Sequence, residues 1–155
     1  MTTFVGDFPC RVDAKGRIML PSVFKKQLSA SAQDRFVVRK DVFDKCLVLY
    51  PSDEWDRQVK ILRSRLNLYK REHSRFLREF FKGTAEILLD GNNRMLIPRR
   101  LLELIDVDKE VILAGQDGRI EIWNKGLYEK EGISEEDFAD QAEKLLGDSL
   151  NIPEE

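Results

Sequence analysis

Residues 12–28 and 89–105 of this 155-residue chain repeat one another in register. Asp13 and Asp90 stand 77 positions apart, and the same interval carries Arg17 to Arg94 and Pro21 to Pro98. It also carries the apolar triplet Ile18-Met19-Leu20 to Met95-Leu96-Ile97. An internal repeat constrains architecture more tightly than any local propensity. A solenoid needs at least three copies, so two copies imply a pseudo-symmetric pair sharing one core.

Each copy reads as strand, turn, strand, short helix, strand, turn, strand. Phe8–Val12 is extended, and Asp13-Ala-Lys-Gly16 is turn chemistry, an acid that accepts from backbone N–H groups and a glycine able to adopt positive φ. Arg17–Leu20 is a strand, and Pro21–Leu28 a short helix whose first turn suits proline. Phe36–Arg39 and Cys46–Tyr50 are strands around a turn at 41–45, matched by Val111–Ala114 and Ile120–Trp123 around Gln116-Asp-Gly118. Between the copies, Ser52-Asp-Glu-Trp55 opens a helix with capping residues. Trp55, Val59, Leu62, Leu66 and Tyr69 form an amphipathic stripe, and Phe76, Leu77, Phe80 and Phe81 a second cluster. Asn67 is a candidate break between two helices. The basic outer faces are read as solvated charge on helices packed by their apolar sides. The expected segments are a first repeat at 1–52, a helical connector at 53–82, a second repeat at 83–126 and an acidic helical tail at 127–155.

The net charge of −2 conceals a division along the chain. Residues 1–80 carry 17 Lys and Arg against 10 Asp and Glu, whereas residues 126–155 carry 2 against 10. A basic working surface with an acidic tail is the implied arrangement. No run approaches the length of a membrane span, and the N-terminus shows no secretory pattern. Cys10 and Cys46 lack metal-ligand or redox spacing and fit two free thiols in a reducing cytoplasm. His73, the only histidine, stands among charges with no nucleophile in its motif and is read as an exposed polar residue. No phosphate-binding loop, dinucleotide fingerprint or nucleophile elbow is present. Asp13 and Asp90 occupy equivalent turns, which argues for a shared structural task over paired acid–base catalysis. The chain is therefore expected to be no enzyme and to need no metal or cofactor.

The motif Asp13-x-Lys15-Gly16-Arg17-x-x-x-Pro21 resembles that of the MraZ family of bacterial transcription regulators. The segments Cys46–Trp55, Phe80–Ala85 and Arg119–Trp123 are similar to this family too, and the resemblance covers residues 1 to about 128, leaving 129–155 without a counterpart. It implies an α+β fold of tandem pseudo-symmetric SpoVT-AbrB halves, of swapped-hairpin and double-psi-barrel-like type, forming one β-barrel-like core with flanking helices. It further implies ring-shaped homo-oligomers that bind repeated promoter sites upstream of the division and cell-wall gene cluster.

Features in both copies are best explained by fold: Asp13, Asp90, Arg17 and Arg94 as turn pairs, Pro21 and Pro98 as helix starts. Features in one copy are candidates for function. Lys15 is matched by Asn92 and Gly16 by Asn93, and asparagine tolerates the left-handed conformation better than most residues. The first turn thus presents two cations beside a residue without a side chain. Lys15, Gly16, Arg17 and Arg11 are the candidate DNA contacts, Lys15 to phosphate and Arg17 to guanine or phosphate. The competing role for Arg17 is an ion pair with Asp13. The resulting expectation is a cytoplasmic, nucleoid-associated, sequence-specific repressor with double-stranded promoter DNA and its own copies as partners, and no membrane or small-molecule substrate. The alternative is an oligomeric protein-interaction scaffold of the same fold, which the acidic tail and the net charge of −2 keep open.

Overall fold

The computed structural model describes residues 2–148. Residues through Lys125 form one compact unit and those from Gly126 a second.

In the first unit, strands β1 (Asp7–Arg11) and β2 (Arg17–Met19) are followed by helix α1 (Ser22–Gln27), a 3-10 turn at Ala30–Ala32, and strands β3 (Arg35–Lys40) and β4 (Leu47–Pro51). The second copy repeats this as β5 (Ala85–Leu88), β6 (Arg94–Leu96), α4 (Arg99–Leu104), β7 (Glu110–Gln116) and β8 (Arg119–Asn124). Helices α2 (Ser52–Arg65) and α3 (Arg71–Phe81) lie between them in the chain. Turn chemistry and a two-residue hydrophobic period suffice to place every strand within a residue or two.

Six strands form one antiparallel sheet in the order β1-β7-β8-β4-β3-β5, and β2 pairs with β6 in a separate ribbon. Exchanging each strand for its repeat counterpart reverses this order onto itself, so a pseudo-two-fold axis passes between β4 and β8. The same axis passes through the ribbon, where Ile18 lies opposite Met95, its own counterpart. Both side chains are fully buried.

The pairing is exchanged between copies. Strand β1 of copy one lies on β7 of copy two, with Phe8 opposite Leu113. Strand β5 of copy two lies on β3 of copy one, with Ala85 opposite Val38. Two further backbone bonds repeat the exchange: Leu20 N–H donates to the Asn93 carbonyl at 2.9 Å and Ile97 N–H to the Gly16 carbonyl at 3.0 Å. The core draws equally on both halves, with Ile18, Phe24, Phe36 and Leu49 packed in one cluster with Met95, Leu101, Val111 and Ile122. At about 1.5–3 kcal/mol for each large side chain taken from water, this shared cluster binds the copies far more strongly than any surface contact.

Pro21 and Pro98 stand at the N-cap positions of α1 and α4 with φ of −53° and −54°. The connector differs from its expected form. Ser52 does not cap α2; its hydroxyl donates to the Ala32 carbonyl at 2.8 Å, and Pro51 is the N-cap residue. The stripe stops at Leu66, where the backbone becomes extended, and Tyr69 is wholly exposed. His73 is half-buried and not a free surface residue: its Nδ1 accepts the Asn67 N–H at 2.9 Å, which shapes the break between α2 and α3. Trp55 joins these helices by packing against the rings of Tyr50, Phe80 and Phe81.

Helix α5 (Lys125–Lys130) starts at the last residue of the first unit, and α6 (Glu135–Leu146) lies in the second. Ser134 caps α6, its hydroxyl accepting the Asp137 N–H at 3.1 Å, and Gly147 follows the last turn. Glu135, Glu136 and Asp137 occupy the first turn, where the helix dipole favours negative charge. Residues 149–155, the end of the acidic tail, lie outside the described residues. No described helix is long and apolar enough to cross a membrane.

Strand exchange has a direct test. Neither fragment 1–82 nor fragment 83–155 contains a complete sheet, so each alone is expected to show an unfolded far-ultraviolet circular dichroism spectrum. An equimolar mixture is expected to recover the β signal and a cooperative melt. A fragment that melts cooperatively by itself would show that exchange is not required for folding.

Candidate nucleic-acid interface

The turn between β1 and β2 is built around one carboxylate. Asp13 Oδ1 accepts the backbone N–H groups of Lys15 and Arg17, both at 2.9 Å, and Oδ2 accepts Arg17 Nε at 2.7 Å. The second turn reproduces this geometry: Asp90 Oδ1 takes the N–H groups of Asn92 and Arg94 at 2.8 and 2.9 Å, and Oδ2 takes Arg94 Nε at 2.8 Å. The bond from the Arg17 backbone N–H is the main cause that holds the Asp13 carboxyl below its ordinary range, and the Arg94 N–H does the same for Asp90. An exposed ion pair contributes little by itself, so the shared backbone bonds carry the turn's shape.

Gly16 has φ +88°, and a Cβ there would meet the Ile97 carbonyl oxygen at 3.1 Å. Its counterpart Asn93 takes the left-handed conformation at φ 59°. The arginine of each turn is anchored through Nε; no other side-chain hydrogen bond of Arg17 is present among the described residues. Lys15 is exposed at the tip, and Arg11 is exposed on β1.

Strand exchange brings two further cations to the first turn. Arg99, at the start of α4, donates Nη2 to the Ala14 carbonyl at 3.1 Å. The Lys109 carbonyl, just before β7, accepts the Val12 N–H at 2.8 Å. Arg11, Val12, Asp13, Ala14, Arg99, Asp108 and Lys109 line one open hollow of about 440 Å³. At the opposite end Leu89 N–H donates to the Asp34 carbonyl, so Asp34 is the counterpart of Lys109. The counterparts of Arg11, Lys15 and Arg99 are Leu88, Asn92 and Ser22. Five cations thus gather at the first turn, whereas Arg94 is the single cation at the matching positions of the second. There the acid Asp34 is ion-paired with Lys25.

Sequence reasoning put forward Lys15, Arg17 and Arg11 as candidates and did not bring in Arg99 or Lys109. A signal for Arg99 was present, since the 77-residue interval pairs it with Ser22, a polar residue without charge. What the interval does not show is that α4 lies beside the turn of the other copy.

A chain of two interleaved copies that complete one another's sheet belongs to the tandem α+β class, and here its turns carry the polar features. Comparison with known proteins makes the assignment specific. The family described as "MraZ protein, putative antitoxin-like" matches residues 3–79 and 80–149. A transcriptional regulator MraZ of Phocaeicola vulgatus is 42% identical over 149 residues, covering 96% of this chain and 97% of the relative. Proteins of the same name are 41% identical in Christiangramia forsetii, covering 95% of both chains, and 43% identical in Flavobacterium psychrophilum, covering 95% of this chain and 94% of the relative. The chain belongs to the MraZ family, a family of transcriptional regulators and not of enzymes. The match runs through residue 149, so residues 129–149 of the acidic tail belong to the family pattern as well, contrary to the expectation that residues past 128 have no counterpart.

Two outcomes follow from the turn geometry. A carboxyl held below its unfolded value stabilises the fold above that value, and the contribution disappears as pH falls through the folded value. Stability is therefore expected to decline below about pH 4, the ordinary range of aspartate. Asp13→Asn combined with Asp90→Asn is expected to lower Tm at pH 7 and flatten its fall between pH 4 and 2, in a thermal series across that range. In urea denaturation, Gly16→Val is expected to cost about 1–3 kcal/mol from left-handed strain, and Gly16→Asn clearly less.

Proposed function

We propose that the chain regulates transcription by binding double-stranded DNA through the first turn and the residues that strand exchange sets beside it. The observation carrying this reading is the one-sided gathering of Arg11, Lys15, Arg17, Arg99 and Lys109, whose counterparts include only one cation. A shape common to both ends serves the fold; charge confined to one end serves a partner. Lys15, Lys109 and Arg11 contact phosphate, where a point charge suffices. Arg99, an exposed residue, positions the turn through Ala14 and has further N–H groups for phosphate. Arg17 combines the two roles left open by the sequence, with Nε on Asp13 and its terminal nitrogens offered to guanine or phosphate. Gly16, expected from the sequence to contact DNA, is given no such role: it is buried, and its missing side chain makes room for the Ile97 carbonyl. The second turn, with Asn92 and Asn93, is a structural copy without a DNA role.

One turn supplies too little specificity for an operator, because a good bidentate base contact discriminates by only ~1–3 kcal/mol. Homo-oligomers reading repeated promoter sites would gain the rest by avidity where repeat spacing suits the assembly. The finer reading is a repressor of the division and cell-wall gene cluster, acting in the cytoplasm at the nucleoid. It rests on the resemblance of the chain to its family.

A gel-shift or anisotropy titration with DNA from upstream of the chain's own operon tests the site. Binding is expected to weaken steeply with salt. Lys15→Ala with Lys109→Ala is expected to weaken it at least tenfold and to reduce the log–log salt slope by about 1 for each phosphate no longer neutralised. Asn92→Ala with Ser22→Ala is expected to leave both unchanged. Equal weakening by the two double variants would remove the asymmetry on which the site rests.

A further inference from the structure

The pseudo-symmetry has one large defect away from the first turn. At one end of the sheet, residues before β1 continue along β7: Phe4 N–H donates to the Asp117 carbonyl at 2.7 Å and Gly115 N–H to the Gly6 carbonyl at 2.8 Å. Phe4 is buried there, its ring 5.6 Å from Phe24, which also meets Phe8 at 5.1 Å. The corresponding residues at the other end are Phe81 for Phe4, Leu101 for Phe24 and Ala85 for Phe8. Two rings are thus replaced by smaller side chains. The third, Phe81, points elsewhere and packs edge-on against Trp55 at 5.7 Å.

The edge of β3 is left open as well. Its pairing with β5 stops at Val38, and among the described residues no backbone bond joins Lys40 to Gly83, the pair matching Gly115 and Gly6. The result is a cavity of about 700 Å³ whose lining includes Lys40, Val42, Phe76, Gly83, Leu101 and Leu104. Val42, Phe76 and Leu104 are 53%, 48% and 52% exposed, high values for apolar side chains around one hollow. Arg39, Lys82 and Arg100 also line it, against the acids Asp41 and Glu79. The Asp41 carboxylate is already engaged by the N–H groups of Phe43 and Asp44. With Arg39, Lys40, Lys82 and Arg100 against Asp41 and Glu79, the rim is net cationic.

We infer that this cavity is a docking site for an extended peptide segment of a partner protein, one carrying a phenylalanine flanked by acidic side chains. The other end of the molecule shows how such a seat is filled: an extended strand adds to the sheet edge and buries one aromatic ring. A partner segment pairs with the Lys40–Val42 edge, seats its ring over Leu101, Leu104 and Phe76, and places its acids near Lys82 and Arg100. Strand addition supplies affinity through main-chain bonds, and the ring and charges supply selection. The site is separate from the DNA reading and does not depend on it.

The test is fluorescence anisotropy of the full chain with a dye-labelled peptide Thr-Asp-Phe-Asp-Gly-Asp-Phe, the sequence that fills the counterpart seat with an acid set on each side of its first phenylalanine. Saturable binding is expected, weakened at least tenfold by Leu104→Glu, by Arg100→Glu, and by alanine at the first phenylalanine of the peptide. Both substituted positions are exposed, and unchanged melting curves and DNA affinity would confirm intact variants. No saturation up to millimolar peptide, or equal binding by wild type and variants, would overturn the proposal. A fall in assembly mass with Leu104→Glu, measured by light scattering, would also overturn it and assign the groove to a second copy of the chain.

Discussion

Exchange of the first strand between copies is the constraint on which the rest of the molecule depends. A β-strand with one face in the core needs a ladder partner for its backbone groups. Here β1 finds that partner on β7 and β5 finds it on β3. Each copy's hairpin is therefore completed by the other, and the hydrophobic cluster cannot be divided between them. The exchange also decides which side chains become neighbours, because it carries each Asp–Arg turn to the helix start and strand entry of the opposite copy. The composite cation cluster at the first turn follows from this topology and not from proximity in sequence.

The two turns separate structural from functional demands within a single molecule. Asp13 and Asp90 make the same three bonds to within 0.1 Å, so the bonds themselves cannot distinguish the ends. The differences lie in side chains that the turn does not use: lysine against asparagine at its tip, arginine against serine on the facing helix, lysine against aspartate at the facing strand. An Asp–Arg pair presents little net charge, and its arginine contributes to an outward field only through atoms the pair leaves over. The cations around it that Asp13 does not pair matter more for the field that a polyanion meets. The same comparison exposes the open seat over β3, where α3 delivers the chain as a helix instead of an extended strand. One duplication thus yields two kinds of asymmetry, one electrostatic and one steric.

Much of this was legible in the sequence. The repeat interval, the turn residues and the alternating apolar runs located all eight described strands and the short helices α1 and α4. They did so because each signal is local: a glycine at positive φ, a proline at a helix start, a two-residue period. The connector was less legible. The apolar spacing through Tyr69 was helical, yet the backbone left the helix at Leu66, where His73 from the following helix accepts the Asn67 N–H. Ser52 had capping chemistry, but a carbonyl from the 3-10 turn at Ala30–Ala32 competed for its hydroxyl.

The sequence by itself determined the duplication, the element order, the carboxylate-centred turns and the closeness of Lys15, Arg17 and Arg11 along one strand–turn–strand segment. These depend on residues within a few positions of each other, or on the comparison of one copy with the other. Only the tertiary structure decided that β1 pairs across copies, that Arg99 and Lys109 stand beside Ala14 and Val12, and that the seat filled by Phe4 at one end is open at the other. Each of these depends on which distant strand supplies the missing hydrogen bonds, and that partner lies far along the chain, in the other copy.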